Sequence, residues 1–139
     1  MWRALLLAYI LVCGALSALV AGFAAAVLLT LFTVGPVWLF TVGPFVGAIG
    51  ALAGFKLALL PAIFLGGLLC FLEIEHKFVW GALGAGTGLF IQAMIGAMVA
   101  APGWLAVSGA FALAGMAAAL TFRGVMMVLT GFSEPAGRY

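Results

Sequence analysis

ALLLAYILVCGALSALVAGFAAAVLLTLF, from Ala4 to Phe32, holds no charged side chain and no proline. About 20 apolar residues, rising roughly 1.5 Å each as a helix, cross the hydrocarbon core of a bilayer. The charge-free stretch runs on to Phe55, and two more follow, Leu57–Leu72 and Phe78–Phe122. Of the 139 residues, 68% are hydrophobic and 6% charged, whereas a soluble domain is near a quarter charged. A soluble chain this short has too much surface for its volume to hide so many apolar side chains. The expected class is therefore all-α: a polytopic membrane protein in a compact helical bundle, with the lipid bilayer as its first partner.

The start imitates a secretory signal, with Arg3, an apolar stretch and Ala15-Leu16-Ser17. Its apolar run continues to Leu31, which is spanning length rather than signal length, so a retained first helix is expected. Four spans fit the pattern, at about 5–31, 46–72, 78–101 and 104–125. They form a single domain over 1–132, followed by a short polar tail at 133–139. Four crossings put the N-terminus, the loop Glu73–Lys77 and the tail on one side, together with Arg3, Lys77, Arg123 and Arg138. Positive residues collect on the cytoplasmic side, so both termini are expected there, in a cell membrane. A fifth span, made by splitting the second at Lys56, would divide the positive residues between both faces.

Tryptophans agree with this layout. Trp2 and Trp80 fall at expected cytoplasmic ends, and Trp38 and Trp104 at outer ends, where an indole meets its mixed preference. The sequence APGW (101–104) then makes the outer turn between the third and fourth spans.

Between the first two spans the pentapeptide Phe-Thr-Val-Gly-Pro occurs twice in FTVGPVWLFTVGP, Phe32 to Pro44. Pro36 and Pro44 donate no backbone hydrogen bond and bias Gly35 and Gly43 away from helix. The stretch is therefore expected to be a non-helical outer connector, with residues 37–55 interfacial, re-entrant or part of the second span.

Small residues recur in GAIGALAG (Gly47, Gly50, Gly54) and GALGAGTG (Gly81, Gly84, Gly88). Each series follows one helical face. In lipid, such faces let backbones approach and gain dispersion contacts. Folding the second and third spans into a hairpin about EIEHK (73–77) pairs Gly54 with Gly96 and Gly66 with Gly84. Gly47 then meets Gly103, Gly50 meets Ala100, and Ala62 meets Gly88. The glycines of GAGTG follow no strand and are not a nucleotide loop.

Chemistry-bearing groups are few. Lys56 lies inside the second span, far from Glu73 and Glu75, and an ionisable group there marks a possible intramembrane polar site. It could snorkel outward, meet an acid or phosphate of another molecule, or line a wet cavity. Gln92, in the third span, is expected to hydrogen-bond across to another helix. Glu73 and His76 form a single Glu-x-x-His without partner ligands, so neither a metal nor any other cofactor is expected. Cys13 and Cys70 sit in apolar runs and act as small apolar residues. No nucleophile has a base nearby in the chain, so no enzyme activity is expected. Basic residues are too scattered for nucleic acid.

Two functions follow as expectations. The first is a structural or accessory subunit, packing against itself or a larger membrane protein. The second is a small-solute or ion transporter or channel working as an oligomer, built on Lys56, Gln92 and the Gly-Pro breaks.

Overall fold

The computed structural model describes residues 2–72, 74, 76–94 and 103–130. The described residues form five helices: α1 (Trp2–Val34), α2 (Pro36–Leu39), α3 (Gly43–Phe71), α4 (Lys77–Met94) and α5 (Trp104–Thr130). Three of them are long and apolar enough to cross a membrane: Arg3–Val34, Gly43–Phe71 and Trp104–Thr130, with mean hydropathies of 2.5, 2.0 and 1.9. These mark the chain as a multi-pass membrane protein. The part of the third expected span beyond Met94, the first residues of APGW, both loop glutamates and the tail lie outside the described residues. The fourth expected span is longer than the sequence reading, since α5 runs on to Thr130.

The connector differs from the expectation. Gly35 breaks the helix sharply, at φ 99° and ψ 170°, a region essentially reserved for glycine, whereas residues 40–42 make a right-handed turn that leads into α3. Pro36 then opens a short helical turn, and Val42 N–H donates to the Trp38 carbonyl at 2.9 Å. Pro44 sits in the first turn of α3, where its missing N–H would have had no partner in any case. Identical pentapeptides therefore hold different backbones. The first is a break and the second a helix start.

Helix pairing also departs from the sequence reading. α1 packs along both α3 and α5, and α4 packs along α5, while α3 and α4 scarcely touch. The spatial order is α3–α1–α5–α4, so the close hairpin of α3 with α4 does not form. Each glycine face has another partner. A methyl group on Gly50 would come within 2.7 Å of the Gly22 carbonyl oxygen, and one on Gly54 would overlap the Gly22 backbone. On α4, a methyl at Gly84 would strike the Gly115 carbonyl and lie 2.6 Å from Ala119 Cβ. Backbones this close gain dispersion contacts that any larger side chain would forbid. α1 offers its own stripe at four-residue spacing, Gly14, Ala18, Gly22 and Ala26. α3 meets that stripe through Gly50 and Gly54.

Larger side chains close the other end of the molecule. Cys13, Leu69, Trp80, Phe122 and Met126 form the buried core, with Trp80 stacked on Phe122 at 5.7 Å between ring centroids. Trp80 is thus a core residue, 3% exposed, and not the interfacial anchor its position suggested. Its indole Nε1–H donates to the Ile74 carbonyl at 2.8 Å. Ile74 N–H in turn donates to the Leu69 carbonyl at 3.1 Å, the six-to-one bond that commonly ends a helix. Ile74 packs on the same core, so it ties the end of α3 to the start of α4.

Candidate functional site

Because α3 and α4 stand apart, a cleft of about 260 Å³ opens between them. α3 supplies one wall, including Gly54, Ala58 and Ala62, and α4 the other, including Leu83, Thr87 and Ile91. α1 and α5 form its floor, and Leu69, Trp80 and Phe122 line the end nearest the α3–α4 loop. All its lining residues are apolar or glycine except Ser17 and Thr87. Both hydroxyls are committed to their own helices: Thr87 donates to the Leu83 carbonyl at 2.7 Å, and Ser17 to the Gly14 carbonyl at 3.5 Å. Such back-bonding is the usual fate of a hydroxyl in an apolar helix.

Pro61, which the sequence reading passed over, lies inside α3 and lines the cleft with Leu57. Proline lacks the N–H that the Leu57 carbonyl would otherwise receive. The helix nevertheless continues to Phe71.

The two polar residues singled out from the sequence are not brought together. Gln92 is buried on α4, and its Nε2 donates to Ser108 Oγ on α5 at 3.1 Å. Lys56 is exposed on α3 and does not line the cleft. It also sits about 20 Å along the helix from Gly43, so it does not reach backbone freed near Pro44. Among the packing glycines, Gly47 faces Phe23, Gly81 faces Met116 and Gly88 faces the Phe111 carbonyl. Gly35, Pro36, Gly43 and Pro44 stay in the connector and the first turn of α3. Sequence reasoning missed the partners of these residues, namely Gly22, Gly115, Phe111 and Ser108. The four-residue stripe in α1 is the signal that could have revealed Gly22.

Among the described residues, no cluster of three His, Cys, Asp or Glu side chains is placed to hold a metal ion. None of the described residues that line the cleft is charged. Comparison of the chain with protein-family models, with curated proteins and with solved structures finds no match.

Proposed function

We propose that the protein is an accessory subunit of a larger membrane assembly, contributing apolar surface rather than chemistry. The observation that carries this reading is the cleft between α3 and α4. It is open, almost wholly apolar and set among helices of spanning length. An ion or polar solute would need polar walls to replace its hydration, and an enzyme would need convergent titratable groups. An apolar occupant needs neither.

In this reading α4 is the fourth crossing. Its 18 described residues reach about 27 Å, close to the roughly 30 Å of the hydrocarbon core. The apolar sequence IGAMVAA (95–101) follows directly. Arg3, Lys77 and Arg123 then mark the cytoplasmic side of a cell membrane, which holds both termini.

The test is purification in mild detergent, with wedges placed on the two cleft walls. A larger membrane protein should co-purify at fixed stoichiometry. Ala62→Trp and Thr87→Trp should release it while leaving the chain helical and monodisperse. A discrete homodimer that is stabilised by a small solute and indifferent to both wedges would refute the subunit reading.

A further inference from the structure

Lys56 is the fourteenth residue of the 29 in α3, counted from Gly43. Its Cα therefore lies about 20 Å from the first residue of the helix and about 22 Å from the last. A lysine side chain reaches about 6 Å, and snorkelling brings its ammonium to the interface only from near a helix end. From this position the ammonium stays more than a dozen ångströms, roughly, from either end of α3. The residue is exposed and sits in a stripe of large apolar side chains. Phe45, Ile49, Leu52, Leu60 and Phe64 along that stripe are each 68–75% exposed. Spacings of three and four residues place them on one face, and none of them lines the cleft.

A charge at the centre of a span needs an opposite charge or water at the same depth. The chain itself offers no acid there. Its three acidic residues, Glu73, Glu75 and Glu134, all fall outside the ranges of α1 to α5. A second copy of the chain therefore brings another lysine to this depth and no carboxylate. Lipid phosphates lie at the headgroups, level with the ends of a helix that is about 43 Å long. Water at this depth would need polar partners, which the apolar stripe around Lys56 lacks, so the opposite charge comes from a different protein.

We infer that the Lys56 face of α3 docks a partner transmembrane helix that carries a carboxylate at mid-membrane depth. Charge complementarity fixes the depth of contact and the choice of partner. The apolar residues on either side of Lys56 supply the packing area, and the ion pair forms where water is scarce. The inference rests on the subunit reading above and names the chemistry of its partner. It uses the face of α3 that lies away from the cleft.

The experiment reconstitutes the full chain in phosphatidylcholine vesicles with a model helix of about 22 apolar residues carrying one central Glu. An otherwise identical peptide carries Gln. Association is read by energy transfer between labels on chain and peptide. The Glu peptide should bind at least about tenfold more tightly than the Gln peptide. Lys56→Met should erase that difference, and Lys56→Arg should keep it. Lys56 is exposed, so the Met variant should keep its thermal stability in detergent, which is measured alongside. Equal binding of the Glu and Gln peptides would overturn the inference, as would a Met variant that still prefers Glu.

Failure here is distinguishable from failure of the subunit reading. A native complex that is broken by the cleft wedges yet unchanged by Lys56→Met sinks this inference and leaves the subunit reading standing. Peptide discrimination by Lys56 in a chain that co-purifies with no larger protein sinks the subunit reading and supports the charge recognition.

Discussion

A methyl group on Gly88 tests the glycine seam between α4 and α5. The new Cβ would overlap the Phe111 carbonyl oxygen and stand 2.8 Å from the carbonyl carbon. Both are backbone atoms, so no side chain can rotate away, and the two helices must part by about 1 Å to restore ordinary contact. A gap of that size forfeits roughly a quarter to a half of each contact's dispersion energy, and overpacking of this kind costs about 1–3 kcal/mol. One turn along, Gln92 donates to Ser108 at 3.1 Å. The same separation stretches that bond past its useful range, costing a further 0.6–1.7 kcal/mol or so. Alanine's better helix propensity offsets up to about 1 kcal/mol. Gly86, two residues away, is the control, because its Cβ would meet nothing within 4 Å. The propensity gain is common to Gly86→Ala, so Gly88→Ala should lie about 1.6–4.7 kcal/mol below it. The assay is reversible unfolding in mixed micelles, followed by circular dichroism. If the two variants agree within about 0.5 kcal/mol, a spread typical of neutral surface changes, the seam is not as close as described.

Three further outcomes follow from other contacts. A double-mutant cycle of Gln92→Leu and Ser108→Ala should give a coupling of about 0.6–1.7 kcal/mol in the same unfolding assay, and a coupling near zero would show the bond to be dispensable. Gly35→Ala should cost about 1–3 kcal/mol because of its positive φ. Gly43→Ala should be near neutral, since its methyl meets only the flexible Leu39 side chain at 3.4 Å; equal costs at the two sites would refute the asymmetry of the repeat. Trp80→Phe keeps an aromatic ring against Phe122 but loses the bond to Ile74, so stability should fall by about 1 kcal/mol, with faster amide exchange around residues 74–80.

What could be read in the sequence followed from what a single helix shows on its own. Long apolar stretches with few charges gave α1, α3 and α5, because spanning is a property of one segment and its solvent. Glycine spacing gave the packing faces of α3 and α4 for the same reason. Partner choice was not legible, because Gly54 and Gly84 carry no mark of which backbone they will meet. Numbering back from the EIEHK turn assumed that neighbours in sequence are neighbours in space, and the stripe of Gly14, Ala18, Gly22 and Ala26 shows why that assumption failed. The second proline of the repeat was misread because a missing N–H is costly inside a helix and harmless in its first turn. Trp80 was assigned by its place at the cytoplasmic end of an expected span, whereas its environment depends on Phe122 arriving from a distant part of the chain.

The order α3–α1–α5–α4 also bears on how the chain is assembled during synthesis. α1 and α3 are made early and can close their glycine seam as a pair, while the other face of α1 waits for α5, which leaves the ribosome later. Until then Cys13 lacks Phe122 and Met126, its α5 neighbours in the core. Residues 72–76 join two helix pairs whose main mutual contact, α1 with α5, does not run through that segment. A gene cut there should yield two co-expressed halves, 1–72 and 76–139, that recombine in the membrane through α1 and α5.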